Sequence, residues 1–161
     1  MAYKRRVKWF LVIGGCFLIV LVIGGIFLER YLISPVNQKP LAIQRLEINE
    51  KSLTAEVVSK PFDLYRGLSQ RASLCQTCGM LFLFPDSAPR TFVMRDMNFP
   101  LDIIFIEDDQ IVNIAANLPP EGHEVKNYYQ SGLPANRVLE LNGGHCALWG
   151  IKVGDKIKFI D

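Results

Sequence analysis

"LDIIFIE", residues 101–107, sets four apolar residues in a row between two acidic ones. Isoleucine and phenylalanine favour extended backbone. The run is too short for a helix, so it reads as a strand with both faces covered. Asp108-Asp109 supplies the next turn, and "QIVNIAA" (110–116) the returning strand. Upstream, "MLFLF" (80–84) is a second continuous apolar run, bounded by Gly79 and Pro85. It too reads as a strand buried on both faces. "PDSAP" (85–89) reads as a turn leading into "RTFVMR" (90–95).

The same reading extends in both directions. "AIQRLEI" (42–48) and "LTAEVVS" (53–59) alternate at period two and flank a turn at "NEKS", which predicts a hairpin. "PFDLYRGLSQR" (61–71) breaks the alternation. Phe62, Leu64, Tyr65 and Leu68 fit one helical face, with Pro61 suited to a first turn. "LPPEGHEVKN" (118–127) is a loop, and "RVLELN" (137–142) a strand with Leu139 and Leu141 on one side. Glu140 therefore points away from those leucines. "GGHCALWGI" (143–151) reads as a short helix between glycines, and "KIKFI" (156–160) as a final strand with Ile157 and Phe159 inward. Strands without regular helix alternation predict an α+β domain, predominantly antiparallel β and barrel-like, with one or two short helices.

A different solvent is written into the N-terminus. "WFLVIGGCFLIVLVIGGIFL" (9–28) is a run of twenty residues with no charge. As a helix it spans roughly 30 Å, the thickness of a bilayer's hydrocarbon core. Lys4, Arg5, Arg6 and Lys8 precede it, so the positive-inside bias keeps the N-terminus cytoplasmic. The expected organisation is a basic tail (1–8), a single transmembrane helix (9–30), a proline-containing linker (31–40) and an extracytoplasmic domain (41–161). A cleaved signal peptide is the competing reading, but no A-x-A-like site follows the run. "IGGC" (13–16) loosely resembles a lipobox, and Arg5-Arg6 hints at a twin-arginine signal.

The charge balance narrows the partners. The chain has 18 basic and 16 acidic residues; five of the bases and one of the acids precede Tyr31. Residues 31–161 therefore hold 13 and 15, a net of −2. No basic stripe remains for nucleic acid.

"GLSQRASL" (67–74), "GMLFLFP" (79–85), "MNFPLDIIFIE" (97–107), "VLELNGG" (138–144) and "GIKVGD" (150–155) share their order and spacing with a known family. Over roughly residues 53–160 the chain resembles domain-of-unknown-function family 192, also called uncharacterised protein family 127. The resemblance implies a compact, mainly β domain in prokaryotes, often behind a signal or anchor. It implies no established activity. Members usually carry tryptophan at the position of Val93 and Lys-Asn-Thr where this chain has Arg95-Asp96-Met97.

Two groups of residues are candidates for chemistry. The first is Arg71, Arg95, Asp96, Asp102 and Glu140, charged residues set among the most apolar strands. A carboxylate and a guanidinium meeting in a cleft can bind a small polar ligand or serve an enzyme. The alternative is structural ion pairing. The second is Cys75 and Cys78 in "SLCQTCGM" (73–80), with His145 and Cys146. A local disulfide is the favoured expectation outside the cytoplasm. A zinc site would need Cys146 or His145 to complete it, because a second C-x2-C is missing. A redox pair would want its first cysteine at a helix N-terminus, and here a strand follows. No cofactor is otherwise expected.

These observations point to a membrane-tethered envelope module that binds a protein or small-molecule ligand. The alternatives are an envelope enzyme using the Arg/Asp/Glu group, or a metal or redox module using Cys75, Cys78 and Cys146. "PEGHEVKNYYQSGLP" (120–134) reads as an ordinary loop, with a mobile contact lip carrying exposed Tyr128 and Tyr129 as the alternative.

Overall fold

The structure is a computed structural model, and it describes residues 41–160. The expected basic tail, transmembrane helix and linker lie outside the described residues. Among the described residues no helix is long and apolar enough to cross a membrane.

The domain runs β1 (Ala42–Ile48), β2 (Lys51–Val58), α1 (Pro61–Arg66), β3 (Cys78–Phe92), β4 (Leu101–Glu107), β5 (Gln110–Leu118), β6 (Tyr129–Asn142), α2 (His145–Trp149) and β7 (Ile157–Ile160). These strands form one sheet in the order β5-β4-β6-β3-β2-β1-β7. All neighbours are antiparallel except β2 and β3. The ends of the sheet meet. Gln110 bridges Lys156, and Ile157 N–H donates to Asp109 O at 2.8 Å. The sheet thus coils into a barrel-like shell, in agreement with the α+β, mainly antiparallel expectation.

The turns explain the register. Asn49 and Glu50 sit at φ +47° and +63°, the left-handed pair of a two-residue hairpin, and Ile48 pairs directly with Lys51. Asp108, at φ +54°, starts the matching turn between β4 and β5. The parallel pairing of β2 with β3 forbids a tight turn, so residues 59–77 cross over outside the sheet and carry α1.

Apolar packing lies on both sides of the sheet. Every strand contributes to the inner cluster: Leu46, Leu53, Leu81, Ile104, Ile111, Leu139 and Ile157 meet there with Cys146. The outer cluster holds Val58, Leu68, Met80, Phe82, Met94, Ile103, Phe105 and Val138, roofed by the crossover and residues 93–97. This is why β4 is buried from Leu101 to Ile106 and reads as an unbroken apolar run.

Three expectations need correction. "PDSAP" is not a turn between strands; it lies inside β3, where the pairing with β6 shifts register between Leu83 and Ala88. Beyond Phe82, β3 has only β6 as a neighbour, and Pro89 stands opposite Pro134. A proline's missing N–H is tolerated where no second strand needs it. The helix from Pro61 stops at Arg66, because Gly67 and Gln70 take positive φ. Its apolar stripe splits: Leu68 is buried, while Phe62 and Tyr65 face solvent. Finally, Tyr129–Pro134 of the expected loop is the start of β6. The loop before it is pinned by buried Glu121, whose carboxylate accepts from Lys126 N–H at 2.9 Å and Asn127 Nδ2 at 2.7 Å.

Candidate functional site

The outer face of the sheet carries a cleft of about 300 Å3 between β3, β6 and the crossover. Its walls are largely apolar: Leu64, Leu68, Phe82, Phe84, Phe92, Val93 and Met97. Phe92 meets Phe82 and Phe84 edge to face, with centroids 5.0 and 6.5 Å apart. Glu140 also lines this cleft. Leu139 and Leu141 turn into the barrel, so strand alternation sends Glu140 to the outer side, opposite Met80.

Glu140 is 5% exposed, and its Oε2 is buried with no hydrogen-bond partner. Burial pushes its carboxyl up to about 8, against the opposing pull of Arg71. The group is therefore chiefly a neutral acid at pH 7, able to donate a proton as well as accept a hydrogen bond. Gly67 roofs it closely at φ +50°. A Cβ there would stand 3.2 Å from the Phe82 ring and 3.8 Å from Oε2.

The arginines around the cleft are already engaged. Arg71 grips Glu56 with both terminal nitrogens, at 2.7 and 2.6 Å. That fork holds the Glu56 carboxyl below its usual range. Arg95 donates to Tyr65 Oη at 2.8 Å, stacks over that ring at 4.2 Å, and lies 3.8 Å from Asp96. Arg66 lies 3.8 Å from Asp63. Asp96 also faces exposed His123 at 3.5 Å.

Asp102 is elsewhere. It is fully buried on β4, and its carboxylate accepts from the backbone N–H groups of Asn117 (2.6 Å), Gly144 (2.9 Å) and Cys146 (2.6 Å). It joins the end of β5 to the start of α2. Arg95 and Glu140 thus line one cleft, Arg71 lies near enough to act on the Glu140 charge without lining it, and Asp96 and Asp102 are not part of the lining.

Cys75 and Cys78 are disulfide-bonded, which satisfies the favoured expectation and leaves neither sulfur free to ligate a metal. Cys146 is a buried free thiol. Burial, and then the Asp102 carboxylate, push its pKa up. His145 Nε2 donates to Gln76 O at 2.9 Å and its ring meets Trp149 edge on. Asn142 Nδ2 donates to Leu74 O and Cys75 O at 3.2 and 3.0 Å. These residues clamp the disulfide loop onto β6 and α2. Among the described residues no group of three His, Cys, Asp or Glu side chains could hold a metal ion.

Residues 44–159 match the DUF192 family, described as "Uncharacterized ACR". The chain belongs to this family. Two crystal structures are similar to this DUF192 domain. One is a "putative transcription regulator" from Sinorhizobium meliloti 1021, 29% identical with a TM-score of 0.70, covering 76% of this chain and 98% of that one. The other is a protein of unknown function from Novosphingobium aromaticivorans DSM 12444, 33% identical with a TM-score of 0.66, covering 77% and 89%. No curated protein matches the chain significantly.

In the DUF192 domain the sequence reading missed the aromatic wall. Phe82 and Phe84 stand two apart on β3, on the same side as Met80. Set against a strand with a lone acid between leucines, that spacing was the available signal.

Proposed function

We propose that this chain is a membrane-anchored extracytoplasmic binding module whose ligand is a small molecule seated in the Glu140 cleft. One observation carries the reading. A buried carboxyl oxygen lacking a partner is costly, and native proteins keep few of them. Here that oxygen belongs to a residue lining a concave, mostly apolar space, the usual form of a small-ligand site. The uncharged stretch at 9–28 with its basic flank supports the anchor, and the Cys75–Cys78 disulfide suits an oxidising compartment. The net charge of −2 on residues 31–161 speaks against a nucleic-acid role.

A fragment screen on the full chain in lipid nanodiscs tests the cleft. Binders should compete with one another and lose affinity at least tenfold in Leu64→Trp, which fills the space. Hits that ignore Leu64→Trp and Glu140→Gln alike would place binding elsewhere and overturn the reading.

A further inference from the structure

We infer that the ligand of the Glu140 cleft is an organic amine, bound as its ammonium ion with a small aliphatic or aromatic body against the phenylalanines. The inference rests on the cleft being the binding site and adds the chemistry of what fills it.

The argument is one of matching charges. The arginines lining the cleft have acids of their own, Arg66 facing Asp63 and Arg95 lying beside Asp96, and Arg71, which acts on Glu140 from outside the lining, grips Glu56. Glu140 is the carboxyl left over. Among the described residues it makes no ion pair within 4.0 Å, and its Oε2 accepts nothing. A carboxylate brought to the cleft would therefore find the lining arginines already paired. An ammonium would meet an acid with no ion-pair partner within 4.0 Å, whose ionised form it stabilises.

The walls suit the same guest. Aromatic faces attract cations. Two rings lining the cleft already serve that way, with the Arg90 guanidinium 4.0 Å over Phe84 and that of Arg95 4.2 Å over Tyr65. The cleft's volume of about 300 Å3 limits the guest to a small molecule.

Binding has a proton balance. The empty cleft holds Glu140 chiefly as the neutral acid, because burial disfavours its charge. An ammonium arriving from solution keeps its own proton and stabilises the carboxylate. The Glu140 proton then leaves to solvent, and no bond forms or breaks beyond that O–H. The charges that face this exchange are Arg71 and Glu56 on one side, Arg95 and Asp96 on another, and Arg66 and Asp63 on α1. His123 is exposed and turned to Asp96.

The test uses the full chain in nanodiscs at pH 6.5 and three probes of one shape: benzylamine, benzyl alcohol and benzoate. Calorimetry reads affinity, and a pH-stat titration in unbuffered salt reads proton release directly. We expect benzylamine to bind at least tenfold more tightly than either analogue, with about one proton released. Glu140→Gln should abolish the release and weaken binding at least tenfold, while melting as a folded protein. Benzoate or benzyl alcohol binding as well as the amine overturns the amine inference and leaves the cleft reading standing. Benzylamine binding without proton release overturns it too. If no probe binds while neutral fragments fill the cleft, the amine inference alone fails. If nothing fills the cleft, both fail.

Discussion

Replacing Glu140 by glutamine should change how stability depends on pH. The folded carboxyl is pushed from an ordinary 4.5 up to about 8 by burial. A raised folded pKa means that the native state binds the proton more tightly than the unfolded chain. Its contribution is complete below the unfolded value and is lost as pH rises toward 8, where the slope levels off. Each unit within that window costs about 1.4 kcal/mol. Between pH 5 and pH 8 the wild type should lose roughly 3 to 4 kcal/mol through this one group. Glutamine keeps the size of the side chain and cannot ionise, so the variant escapes that loss. Urea unfolding of both proteins, in a Trp9→Phe background so that Trp149 reports alone, gives the difference at pH 5, 6.5 and 8. All other titrating groups are common to both and cancel. The variant should be close to wild type at pH 5 and far more stable at pH 8. A difference that stays constant across the range would refute the premise that Glu140 is held neutral.

Other perturbations test the frame of the domain. Gly143→Ala would put a Cβ 2.7 Å from Pro100 Cβ and 3.0 Å from its carbonyl carbon, so it should cost about 1–3 kcal/mol, read as a drop in Tm. Asp102→Ala strips the acceptor from three backbone N–H groups, one of them buried, and should cost about 3–5 kcal/mol. Hydrogen exchange should show the loss first at Gly144 and Cys146. Reducing Cys75–Cys78 opens a loop only three positions wide, so it should cost about 2 kcal/mol and leave the sheet intact by circular dichroism. In a Cys16→Ser background, native protein should resist iodoacetamide at Cys146, and denatured protein should react there.

Local pattern revealed most of the fold. β4 declared itself because both of its faces are covered, and the two hairpin turns because Asn49 and Asp108 suit left-handed backbone. "PDSAP" misled because its prolines imply a turn unless one knows that β3 has a single neighbour there. The site was half legible. Alternation in "VLELN" aimed Glu140 away from its leucines, and no more was needed to suspect it. Asp102 looked like a member of the same group, yet its three partners lie 15 to 44 residues away, a distance that pattern cannot bridge. The choice between disulfide and zinc likewise depended on where two sulfurs meet in space.

The crossover from β2 to β3 has a wider consequence. The hairpin turns between β1 and β2 and between β4 and β5 fix the register of the strands they join, so a change in their length would shift side chains between faces. Residues 59–77 carry no such duty: they arch over the outer surface, bring Leu64 and Gly67 to the cleft, and return through a disulfide loop tied down by Asn142 and His145. This stretch behaves as an exchangeable cassette. Its length can change while the shell beneath keeps its pairing, so it shapes the cleft without setting the fold.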